Sequence, residues 1–181
     1  MEPLTAKPAY KNWNADYERN RLAMEPNRLL AIAVATGRIG VVFFVGQRLM
    51  DWRISSRAAK SHVTAAGHAQ MLINELRPQV LVIERITETS HKGGNTRSLI
   101  EAIARIGSDN ELLDIAVARK CCYPNKYLEA DALAERYPDI APWKPKKRRF
   151  FDNEPRNTVL FEALALADCV LKRPKEFSMQ G

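Results

Sequence analysis

Two carboxylates stand where a reacting phosphodiester could use them. The apolar run Val80-Leu81-Val82-Ile83 ends in Glu84, and a helix-spaced apolar stretch from Val159 to Leu171 carries Glu162. Carboxylates at the end of a buried strand and on a helix are hard oxygen donors, the kind that hold Mg²⁺ or Mn²⁺ beside an activated water. Glu84 also has an ordinary reading, as a strand-ending group that reaches solvent or pairs with Arg85 or a neighbouring lysine. Val159, Ala163 and Leu166 make the helix face of Glu162 partly buried. An unpaired charge is costly there, so a cation or a basic side chain is expected beside it. Asp168 lies well around the same helix and is expected in solvent.

A second constellation is basic. The run Trp143-Lys144-Pro145-Lys146-Lys147-Arg148-Arg149-Phe150-Phe151 sets five cations beside three aromatic rings. Cations neutralise phosphates and rings stack on unpaired bases, so the run suits single-stranded or branched DNA. A solvated basic loop, or a nuclear-import signal, is the alternative. The loop His91-Lys92-Gly93-Gly94-Asn95-Thr96-Arg97 could offer Lys92, Arg97 and backbone N–H groups to a phosphate at a helix N-terminus. It lacks the Gly-x-x-x-x-Gly-Lys-[Ser/Thr] spacing of a P-loop, and a plain surface loop is the competing reading. His62, His68 and His91 are not spaced as metal ligands, and the first two are expected on a helix surface. Cys121-Cys122 reads as packing rather than a nucleophile.

Composition bounds these readings. With 181 residues, of which 46% are hydrophobic, the chain can bury a full core in one domain. The net charge of +7 favours a polyanionic partner. Three cysteines in no Cys-x-x-Cys spacing indicate neither a disulfide framework nor a zinc knuckle, and they fit a reducing, intracellular (cytoplasmic) setting. The opening residues lack an apolar signal-peptide core, and no apolar run reaches the roughly 20 residues that span a bilayer. The chain is therefore expected to be neither secreted nor membrane-bound.

The elements that must position these groups follow from period and punctuation. Residues 1–27, broken by Pro3, Pro8 and Pro26, read as an irregular arm whose Tyr10, Trp13 and Tyr17 suggest docking on a partner. Strands are predicted at about 29–35, 39–45 and 48–54, forming an antiparallel meander with turns at Gly37 and Gly46. From Ser61, Ala65, Ala69, Leu72 and Leu76 line one face of a helix that Pro78 ends. Val80–Glu84 has no polar alternation, as in a strand covered on both faces, and the helical crossover before it favours parallel pairing with the first strand. A helix built on Leu99, Ile103, Ile106 and Leu113, a short strand at 115–118 and a helix at about 125–137 follow. Pro155 is expected to open the last helix and Pro174 to end it.

This order of elements, with Leu30-Ala31-Ile32-Ala33 opening the sheet, Val80-Leu81-Val82-Ile83-Glu84 closing the crossover and Leu160-Phe161-Glu162-Ala163-Leu164-Ala165-Leu166-Ala167 on the last helix, resembles the RuvC-like branch of the ribonuclease H superfamily. The resemblance covers about residues 28–172 and leaves the arm and a 173–181 tail outside it. It implies an α/β fold with a ribonuclease H-like central mixed sheet, three antiparallel strands then parallel strands, flanked by helices. It also implies a Holliday junction resolvase-like endonuclease, a hydrolase of DNA recombination, in which acidic side chains converge on two divalent cations, Mg²⁺ or Mn²⁺. Carried over residue by residue, the metal-binding, catalytic positions fall at Glu84 and Glu162. The strand-one aspartate falls at Ala33, and a further helix carboxylate one turn before Glu162 falls at Val159. With two ligands replaced, the reading is a homodimeric protein that binds branched or single-stranded DNA through Lys92, Arg97, Trp143, Lys144, Lys146, Lys147, Arg148 and Arg149, with cleavage weakened or lost. Two alternatives stay open: an active endonuclease whose altered site borrows Asp152 or Glu154, and a structural subunit of a nucleoprotein assembly.

Overall fold

The computed structural model describes residues 27–88, 90–118 and 123–176, with side chains in the last helix described as far as Leu171. The arm's aromatic residues, Cys121-Cys122 and the residues after 176 lie outside this set. Three β-strands open the fold, β1 (Arg28–Ala35), β2 (Arg38–Val45) and β3 (Arg48–Ser55). Helix α1 (His62–Leu76), strand β4 (Val80–Glu84), helix α2 (Gly94–Asp109) and strand β5 (Leu113–Val117) follow, then helices α3 (Lys126–Arg136) and α4 (Thr158–Glu176). Short 3₁₀ turns occupy Ala58–Lys60 and Pro138–Trp143.

The five strands form one sheet in the order β3-β2-β1-β4-β5. The first three pair antiparallel, whereas β4 pairs parallel with both β1 and β5, as a sheet with helical crossovers must. Gly37 at φ 73° and Gly46 at φ 60° make the two tight turns of the meander, a left-handed conformation that glycine adopts without a Cβ clash. Ser61 caps α1, its side chain accepting from the Thr64 N–H while the Thr64 hydroxyl accepts from the Ser61 N–H. Arg77, in the left-handed region at φ 48°, ends that helix immediately before Pro78.

Alternation along the strands sorts the core into two layers. Leu29, Ala31, Ala33, Val42, Phe44, Val80 and Val82 face α4 and, behind it, α3. Leu30, Ile32, Val34, Ile39, Val41, Phe43, Leu81 and Ile83 face α1 and α2. The central strands are thus covered on both sides, which is why β4 shows no polar alternation. Helix α4 sits very close to the sheet at Gly40, where a Cβ would run into the Val159 carbonyl. No helix among the described residues is long and apolar enough to cross a membrane.

Several local expectations are revised. The stretch Leu113 to Val117 is strand throughout, so Leu113 belongs to β5 rather than to the preceding helix. Pro155 lies before α4, its carbonyl accepting from the Thr158 N–H in a lead-in turn, and Pro174 falls inside the helix's last turn. Asp168 is not solvated. It is 5% exposed and accepts from Arg136 Nη1 at 2.5 Å and from the Tyr137 hydroxyl at 2.9 Å, tying the end of α3 to α4. His68 is half-buried rather than on the surface, and its Nε2 has no hydrogen-bond partner.

Candidate acidic site and nucleic-acid interface

Register brings the first group of candidate residues together. Ile32 pairs with Ile83 in the parallel β1–β4 ladder, so Ala33 and Glu84 are the next residues along adjacent strands. Ala31, Ala33 and Val82 belong to the layer under α4, and the two-residue period of a strand turns Glu84 to that same side. Ala33 is 1% exposed and shares this layer with Val159 and Ala163 of α4. Glu162, one helical turn beyond Val159, is partly buried and makes an interaction of its own.

Glu84 takes the basic partner that its ordinary reading allowed. Lys92 Nζ lies 2.6 Å from Glu84 Oε2, with the two side chains only 19% and 11% exposed. The same ammonium donates to the Val34 carbonyl at 2.5 Å, so one lysine ties the end of β4 to the end of β1. The segment between β4 and α2 carries it. Ser90 closes a turn on Thr87, its hydroxyl accepting from the Thr87 N–H at 3.0 Å and its own N–H donating to the Thr87 carbonyl at 3.0 Å. From the first turn of α2, Arg97 reaches back to donate to the Lys92 carbonyl at 3.1 Å and the Ser90 carbonyl at 2.9 Å. Arg97 is thus part of the loop's scaffold. Among the described residues, no three His, Cys, Asp or Glu side chains gather in a group able to hold a metal ion.

The basic run lies before α4 and divides by role. Trp143 packs edge-on against Trp52 of β3, ring centroids 5.2 Å apart, and helps to line a cleft of about 390 Å³ with Arg156, Asn157 and Leu160. Lys144 pairs with Asp131 of α3 at 2.8 Å, both side chains nearly half exposed. Lys146, Lys147, Arg148 and Arg149 are exposed. The segment from Arg149 to Asp152 is a closed turn: the Asp152 N–H donates to the Arg149 carbonyl at 3.0 Å, and Asp152 Oδ2 accepts from the Arg149 N–H at 3.0 Å. At its tip Phe150 and Phe151 are 92% and 94% exposed, packed edge-on against each other at 5.1 Å. Two bulky apolar rings held in water by a closed turn are costly unless something else covers them.

Sequence reasoning allowed a neighbouring lysine beside Glu84 but assigned Lys92 itself to a separate phosphate loop, and it missed two further features. Trp52 forms a wall of the Trp143 cleft, and Asp152 holds the aromatic turn. Neither left a local trace: Trp52 lies on a distant strand, and Asp152 accepts from the N–H of the residue three before it, the reverse of the forward bond an Asx turn makes.

Comparison with known proteins gives a likeness in structure alone. No protein-family model matches the chain, and neither does any curated protein sequence. Among solved structures, Thermus thermophilus RuvC in complex with a Holliday junction substrate superposes with a TM-score of 0.58 at 12% identity, over 86% of this chain and 98% of that one. The fowlpox virus resolvase, in complex with its substrate Holliday junction DNA, gives 0.51 at 13% identity, over 80% and 99%. The yeast mitochondrial Holliday junction resolvase gives 0.50 at 12% identity, over 86% of each chain. A mixed five-stranded sheet flanked by helices, with its parallel strands entering after the meander, is therefore the α/β ribonuclease H-like fold of the RuvC-type resolvases.

Proposed function

We propose that this protein binds branched or single-stranded DNA and that its capacity for metal-dependent phosphodiester cleavage is weakened or lost. The observation that carries the binding half is the Arg149–Asp152 turn, which holds Phe150 and Phe151 almost wholly in water beside four exposed cations. Apolar rings fixed among phosphate-neutralising charges suit a ligand that offers a charged backbone and unstacked base faces together. Duplex DNA offers the first but hides the second. The fold's likeness to structures solved with Holliday junctions supports the same reading.

The acidic site supports the second half. A two-metal centre needs several oxygen donors converging on it. Here Ala33 is buried and offers a methyl group, Val159 offers only an apolar side chain, and Glu84 is already joined to an ammonium. The residues at these strand ends do not fit a resident pair of divalent cations.

The test is a labelled four-way junction, duplex and single strand incubated with the protein in Mg²⁺ and in Mn²⁺, beside Glu84→Ala and Ala33→Asp. The expected result is salt-sensitive binding of junction and single strand with no cleavage. Cleavage by the wild type that disappears in Glu84→Ala would establish an active endonuclease and overturn the loss of activity. Failure to bind any of the three would overturn the nucleic-acid reading.

A further inference from the structure

We infer that the Lys92 ammonium is a resident cation at the β1–β4 strand ends, neutralising Glu84 and holding a DNA phosphate there without divalent metal. An ammonium carries three N–H donors. Two are accounted for, by Glu84 Oε2 at 2.6 Å and by the Val34 carbonyl at 2.5 Å, and the side chain retains 19% exposure. The remaining donor can meet an outside oxygen. Both oxygens already engaged are hard donors of the kind a small cation prefers, and they come from the ends of adjacent parallel strands. The loop that delivers Lys92 is fastened on both sides of it, by the Thr87–Ser90 turn and by the two Arg97 hydrogen bonds, so the ammonium is positioned rather than swinging on a free stem.

Charge decides what such a site can do. With Lys92 beside it, Glu84 no longer repels a phosphate, so a DNA backbone can approach these strand ends without a metal ion to screen the carboxylate. A lysine on a fastened loop cannot exchange with solution ions as Mg²⁺ does, and an incoming divalent cation would have to displace it against like-charge repulsion. The phosphate part of this inference rests on the DNA-binding reading; the exclusion of metal does not.

Two measurements test the two parts separately. Mn²⁺ uptake, followed by electron paramagnetic resonance at about millimolar metal, is expected to be the same for wild type and Glu84→Gln. Uptake by the wild type that Glu84→Gln abolishes would show a metal displacing the lysine and overturn the inference, whether or not DNA binds. Affinity for a labelled single strand and a four-way junction, at matched ionic strength, is expected to agree within about twofold in EDTA and in Mg²⁺. In EDTA, Lys92→Met is expected to weaken binding and to lower the salt slope by about one, whereas Glu84→Gln, which removes the anion and keeps the cation, is expected to tighten it. Wild-type binding that requires divalent metal, or a folded Lys92→Met protein that binds as the wild type does, would overturn the phosphate role. If Lys92→Met fails to fold, the EDTA comparison and the sign of the Glu84→Gln effect decide. Loss of all DNA binding by the wild type would remove the proposed function, and the manganese result would still judge the lysine.

Discussion

Single side chains in this fold are held by partners far away in sequence. Asp168 shows the consequence: at 5% exposure it accepts from both Arg136 and Tyr137, and burial together with the neighbouring carboxylate pushes the Tyr137 phenol well above its usual range. Asp168→Ala leaves both donors without their acceptor, and since Arg136 is 40% exposed we expect a loss of about 2 kcal/mol, read from urea unfolding. Tyr137→Phe removes one neutral donor and is expected to cost about 1 kcal/mol. A helical wheel placed Asp168 in solvent because it carries no information about what packs beside the helix. His68 is the other such residue. Burial, with the nearby Arg53 charge, lowers its pKa from 6.5, so the folded state binds its proton less readily than the unfolded chain does. The stability associated with neutral His68 is present above about pH 6.5 and is lost as pH falls through the lower folded value. The denaturation midpoint of the wild type should therefore drop across that window, and that of His68→Gln should drop less.

At the level of elements, most of the architecture was legible. The hairpin turns, the extent of α1 and the unalternating β4 each followed from local chemistry, because a glycine able to take positive φ, an apolar helical period ended by proline and a run of valine, leucine and isoleucine act within a few residues; the Ser61–Thr64 capping box went unread. The approach of α4 to the sheet was not legible. Gly40 has no local reason to be glycine, as it pairs in register with Ala33 and Ile54 on its two neighbouring strands; its reason is the Val159 carbonyl. Gly40→Ala should push α4 away from the sheet or strain β2, costing about 1–3 kcal/mol in denaturant, while Gly37→Ala should act through its turn alone. The aromatic turn makes the opposite prediction. Phe150→Ala with Phe151→Ala removes rings that are 92% and 94% exposed, so thermal stability should stay unchanged. Affinity for single-stranded DNA should fall by about 1–3 kcal/mol per stacked base, checked by fluorescence anisotropy.

Over the whole molecule, the net charge of +7 becomes a functional quantity only where the fold gathers it. Four cations of the 146–149 run lie exposed together, while Lys144 is paired with Asp131 and Lys92 with Glu84. Counting these four together with the Lys92 phosphate contact, binding to single strands should follow salt with a slope of about −3.5 in log–log form, and Lys146→Ala with Lys147→Ala should reduce its magnitude by about 1.4. Readable along the chain alone were the element order, the interior place of β4 beside β1, the excess of positive charge and the lack of a carboxylate at position 33. All of these are properties of neighbouring residues or of composition. Only the tertiary structure decided what Glu84, Asp168 and Gly40 meet: an ammonium from a loop, an arginine and a tyrosine from another helix, and the backbone of α4. The physical reason is the same each time. Ion pairing, burial and steric contact depend on distances of a few ångströms in space, and residues far apart along the chain acquire those distances only when the sheet and helices pack.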